Sequence, residues 1–136
     1  MFVHDFVMVH RPFGEVAARF HNVLCQELAS IVMTSSAGTS SRWVPTVVIG
    51  DAQHALDALV IPVEWTDGTS GCPVGLEGKL ELSSIDQGCC DLHLMGSCTV
   101  GESGAPVDER RRKRAVVLTA RSVLESLREQ LERPQL

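Results

Sequence analysis

Tyrosine is absent from the chain, and aromatic residues make up only 4% of it. None flanks the run of five cations from Arg110 to Arg114, so the stacking surface of a single-stranded nucleic-acid binder is missing there. Positive charge is also in short supply overall: the formal net charge is -5, which excludes a general polyanion binder. No apolar stretch approaches the ~18 residues of a membrane span. The longest, Ala58 to Val63, contains a proline. Met1 to Val9 includes His4 and Asp5 and lacks a basic n-region, so no secretory signal is expected. Catalytic and cofactor motifs are missing too. Neither a G-x-G-x-x-G nor a P-loop pattern occurs. Gly101-Glu-Ser-Gly104 and Gly68-Thr-Ser-Gly71 lack the spacing of a nucleophile elbow. No Cys-x-x-Cys pair offers the ligand spacing that zinc favours.

What is present is a core. The 136 residues are 44% hydrophobic and 21% charged, with a mean hydropathy of +0.09. That length and composition suit one globular domain, residues 1–136. Cys25, Cys72, Cys89, Cys90 and Cys98 form an odd set with two adjacent members. A disulfide framework prefers even counts, so these cysteines are expected to be reduced, small hydrophobes in a cytoplasmic protein. Cys89, Asp91 and His93 make at most an incomplete metal shell, and strand alternation separates Cys90 and Cys98 from His93. No metal or cofactor is expected.

Residues 2–9 read as a strand, but its facing is open: each alternating set holds one polar residue and three apolar ones. After Pro12, the residues Val16, Phe20, Val23, Leu24, Leu28 and Ile31 recur at helical spacing, opposite Arg19, Asn22 and Gln26. One helix or two with a break near Asn22 would fit. Residues 34–42 read as a loop and 43–49 as a strand. In the next strand, residues 58–66, Leu59, Ile61, Val63 and Trp65 share one parity; Pro62 marks an edge or a bulge. Beyond the turn Asp67 to Gly71, Val74, Leu76, Leu80 and Leu82 alternate with charged residues. Asp86-Gln87-Gly88 then turns the chain, and Cys90, Leu92, Leu94, Cys98 and Val100 share a face. Together these strands make a half-buried antiparallel hairpin. From Asp108 to Arg133 there is neither glycine nor proline. Val117, Ala120, Leu124, Leu127 and Leu131, widened by Val116 and Val123, form the stripe of a long helix. Antiparallel strands with one long terminal helix define an α+β layer architecture.

These elements resemble the helix-grip domains of the SRPBCC superfamily, which includes START lipid-transfer domains, birch-pollen-allergen-like proteins and polyketide cyclases. Phe6-Val-Met-Val-His-Arg-Pro-Phe-Gly-Glu-Val16 is similar to the opening strand and helix start. Ala58-Leu-Val-Ile-Pro-Val-Glu-Trp65 looks like a characteristic strand of small bacterial members. Leu76-Glu-Gly-Lys-Leu-Glu-Leu82 with Leu92-His-Leu-Met-Gly-Ser97 looks like the last hairpin, and the helix from Arg114 like the closing helix. The resemblance implies a curved antiparallel sheet wrapped around the long C-terminal helix, with a short N-terminal helix or helices. It also implies a cavity lined by Ile61, Val63, Trp65, Leu76, Leu80, Leu82, Leu92, Leu94, Val116, Ala120, Val123, Leu124 and Leu127. Gly78, Gly96 and Ala120 either leave room there or permit close packing.

The expected partner is a small hydrophobic molecule, lipid- or polyketide-like, and not nucleic acid. A cyclase- or hydrolase-like enzyme using the same cavity is the alternative, with His4 or Glu64 as the polar group projecting into it. A ligand-free protein-interaction module is a third reading. The run Arg110 to Arg114 is expected to be a solvated face, with weak contact to an anionic surface as its functional reading. Oligomeric state is left open by these residues.

Overall fold

The computed structural model describes residues 1–35, 45–67, 75–99 and 109–134. The chain runs β1 (Phe2–Val9), α1 (Phe13–Ser35), β2 (Pro45–Ile49), β3 (Gln53–His54), β4 (Ala58–Asp67), β5 (Gly75–Ser84), β6 (Cys90–Thr99) and α2 (Glu109–Glu132). All pairings are antiparallel, in the order β1-β6-β5-β4-β2, with β3 also on β4. The sheet curves around α2 in a helix-grip α+β arrangement. The turns expected at residues 68–71 and 101–106, together with Trp43, Cys72, Val74 and Val100, lie outside the described residues.

The β5–β6 hairpin forms where alternation is clearest. Its register runs from Gly75 opposite Thr99 to Ser84 opposite Cys90. Asp86 closes the turn by accepting the Gly88 N–H at 2.8 Å, an Asx turn that satisfies backbone locally. Leu76, Leu80 and Leu82 on β5, and Cys90, Leu92, Leu94 and Cys98 on β6, are buried on one face.

Elsewhere the structure decides what alternation left open. In β1 the inward set is Val3, Val7 and Val9 with Asp5, whereas Phe2, His4, Phe6 and Met8 face out. The polar member of the inward set is partnered: the Arg121 guanidinium lies 3.4 Å from the Asp5 carboxylate. α1 is one continuous helix through Ser35, so Thr34 and Ser35 are helical where a loop is expected; residues 36–42 of that loop lie outside the described residues. Within it the Thr34 hydroxyl turns back on the helix and donates to the Ser30 and Ile31 carbonyls, each at 3.1 Å.

Pro62 sits in the interior strand β4, not at an edge. On its far side the partner chain breaks between β2, which pairs up to Val63, and β3, which pairs from Val60. The Pro62 carbonyl still accepts the Gly50 N–H at 2.8 Å. In an antiparallel pair opposite residues exchange both bonds, so the proline forgoes one bond to Gly50, at the point where the β2 pairing ends.

α2 carries no basic residue in its last turn; its carbonyls are capped from the other end of the chain. Arg11 donates to the Glu132 carbonyl at 2.8 and 3.2 Å. Arg19 donates to the carbonyls of Leu131 at 3.3 Å and Arg133 at 3.0 Å. Helical spacing places Arg19 on the solvent face of α1; the unpaired carbonyls and negative end of α2 attract it instead.

Candidate functional site

Cross-strand register arranges the inner face of the sheet in rows. Leu59, Leu82, Leu92 and Val7 form one, and Ile61, Leu80, Leu94 and Asp5 the next. Val63, Gly78, Gly96 and Val3 follow, and then Trp65, Leu76 and Cys98. α2 closes over these rows with Val116, Ala120, Val123, Leu124, Leu127 and Leu131. Every residue expected to line a cavity is brought into this one core, none more than 4% exposed. Val117 is the exception in the helix stripe: at 48% exposure it faces solvent, and Val116 takes its place one residue earlier.

The third row is short of side chains for a backbone reason. Gly78 and Gly96 oppose each other across β5 and β6. A Cβ on Gly78 would run into the Met95 carbonyl, and one on Gly96 would stand 2.7 Å from the Glu77 carbonyl oxygen. The strands approach too closely there for any other residue. The same glycines leave two adjacent inward positions without side chains, beside Val63 and next to the row of Trp65.

Trp65 is 1% exposed, and its indole Nε1 has no hydrogen-bond partner. Among the described residues, the other buried polar side chains are Ser35 and Thr119. Ser35 accepts a bond of 3.0 Å from Ser122, tying the end of α1 to α2. No alternation or periodicity foretells which buried indole lacks an acceptor; that depends on the neighbours folding brings.

His4 and Glu64, the candidate acid–base groups, both lie on the opposite face of the sheet and are exposed. His4 Nε2 contacts His93 Nδ1 at 3.0 Å, and His93 stacks on Phe6 with 5.3 Å between ring centroids. Their strands' pleat turns them outward, because Val3 and Val63 hold the inward parity. Two surface grooves are also present. One, about 660 Å³, follows α2 past Leu118, Arg121 and Glu125. The second, about 620 Å³, lies on the outer sheet face among Val48, Pro62, Glu64 and Glu77. Apart from Val63, none of the expected lining residues borders either.

Among the described residues, Cys25, Cys89, Cys90 and Cys98 are free thiols, and no group of three or more His, Cys, Asp or Glu side chains is placed to hold a metal. Burial, followed by the Asp91 carboxylate, pushes the Cys90 thiol up to about 11. Burial likewise raises Cys98. Both thiols therefore stay protonated and are poor nucleophiles at neutral pH. The basic run occupies the start of α2, where Arg110, Lys113 and Arg114 are exposed. No described helix is long and apolar enough to cross a membrane.

No protein-family model matches the sequence, and no curated protein does. Solved structures do match. A conserved protein from Geobacillus kaustophilus superposes with a TM-score of 0.61 at 14% identity, covering 96% of this chain and 95% of its own. The Zhui aromatase/cyclase from a Streptomyces species gives 0.57 at 13% identity, over 98% and 94%. A STAR-related lipid transfer protein from Xanthomonas axonopodis gives 0.56 at 15% identity, over 97% and 86%. The fold is the helix-grip. Within such a helix-grip, the inner sheet face and the stripe of α2 described above form the grip itself. At these identities the likeness establishes architecture, not chemistry.

Proposed function

We propose that the protein binds a small hydrophobic molecule, of lipid or polyketide character, between the inner face of the sheet and α2. The observation that carries this reading is the make-up of that interface. Apolar residues line it from β4, β5, β6 and α2, and Gly78, Gly96 and Ala120 keep side-chain bulk out of it. Apolar walls with few polar groups are what a greasy guest requires. Two of the similar folds, a lipid transfer protein and an aromatase/cyclase, support the same direction. Binding without catalysis is favoured because His4 and Glu64 lie outside the grip. Free thiols and an odd cysteine count support a reducing, cytoplasmic setting. The exposed cations at the start of α2 support at most weak contact with an anionic surface, since isolated exposed charges contribute little.

Native mass spectrometry of protein purified without detergent tests the reading. A species heavier than 14.8 kDa, whose excess mass is released by organic solvent, is the expected result. Protein that is always empty, and that also fails to bind a hydrophobic dye, would contradict it.

A further inference from the structure

We infer that the ligand carries a neutral hydrogen-bond acceptor, a ketone, ester or amide oxygen, which receives the Trp65 indole N–H. This rests on the ligand-binding reading above. Trp65 stands on the inner face of β4, between Val47 of β2 and Leu76 of β5, 1% exposed and with Nε1 unpartnered. A buried donor without an acceptor costs free energy that a phenylalanine of similar shape would not. Nothing in its own row relieves it. Leu76 is apolar, and the Cys98 thiol keeps its proton because burial disfavours the thiolate. The row next to it contributes Val63, Gly78 and Gly96, none of which brings a side-chain acceptor to the indole.

The acceptor is neutral because no cation among the described residues is buried, and Arg121, which reaches the inward-facing Asp5, is half exposed and already paired with it. The buried polar residues among those described are Ser35 and Thr119, and neither is ionisable. A carboxylate drawn in beside Trp65 would lose its hydration without a cation to replace it. The class is therefore a hydrophobic molecule with an internal or terminal carbonyl, rather than a free fatty acid.

Three shape-matched probes test this on the full chain: methyl naphthyl ketone, its isopropenyl analogue, in which carbon replaces the oxygen, and naphthoate. The natural protein should bind the ketone and the hydrocarbon and discriminate against naphthoate. Trp65→Phe should weaken the ketone about five- to tenfold, the value of one hydrogen bond, and leave the hydrocarbon within about twofold. The Trp65 indole ¹H–¹⁵N resonance should move downfield with the ketone and not with the hydrocarbon. That resonance decides the matter in the natural chain even if Trp65→Phe folds poorly. Equal weakening of ketone and hydrocarbon, or an indole resonance unmoved at saturating ketone, would overturn the donor role while ligand binding stands. Tight naphthoate binding would overturn the requirement for neutrality. Failure of every probe to bind the natural protein would overturn both this inference and the reading beneath it.

Discussion

Individual side chains set the chemistry of the interior, and Cys90 shows how. The unfolded chain ionises this thiol near 9.0, whereas the folded chain holds its proton to about 11. Below about 9 its contribution is therefore fully present, and it is lost as pH rises through 11. Urea midpoints should fall across that window, and Cys90→Ala should flatten part of the fall. At neutral pH iodoacetamide should label exposed Cys25 well before Cys90 or Cys98, and reductant should leave the melting temperature unchanged. A melting temperature that drops on reduction would reveal a disulfide. Gly78 poses the opposite problem, a position where any side chain is too much. Because a new Cβ meets the Met95 backbone rather than a flexible side chain, Gly78→Ala should destabilise by about 1–3 kcal/mol, as overpacking does. A neutral result in equilibrium unfolding would mean the strands separate there at no cost.

Among the elements, β1 and β2 end the sheet, and β1 shows how an edge is protected. It is an edge strand, and exposed edges invite pairing with other chains. Its outward backbone at Phe6 is occupied: Asp5 accepts the N–H at 2.8 Å, and Arg121 of α2 donates to the carbonyl at 3.1 Å. Arg121→Gln should cost no more than about 1 kcal/mol, since the ion pair is half exposed. It should also promote concentration-dependent association, read by light scattering. An unchanged monomer fraction would show that other features guard the edge.

How much of this was readable in the residues varies by element for physical reasons. β5, β6 and α2 were legible because one face is apolar and the other charged, and the pleat or helical turn then dictates burial. β1 was not, because both of its faces are equally apolar; only the arrival of Arg121 from α2 decides that Asp5 points inward. Pro62 suggests an edge because sequence shows a missing donor but not that the partner strand ends opposite it. β3 is two residues long, too short for any period. The candidate lining residues were legible as core, but the lone indole N–H of Trp65 arises from what surrounds it.

At the scale of the whole molecule, the two ends of the chain hold the grip shut. Arg11 and Arg19 cap the carboxyl end of α2, and Ser122 binds Ser35 near the end of α1. α2 is thereby fixed at both places while its stripe lies on the sheet. Space between stripe and sheet is the central claim, and Ala120, 4% exposed on that stripe, is where it can be probed. The most direct measurement is a hydrophobic-dye titration of Ala120→Leu beside the natural protein, with thermal melts to confirm folding. If the grip holds a guest, leucine takes up free volume, so binding weakens while the melting temperature holds or rises. If the interface is already filled, the added bulk strains it by about 1–3 kcal/mol; a lowered melting temperature, with no dye bound by either protein, would contradict the ligand-binding account.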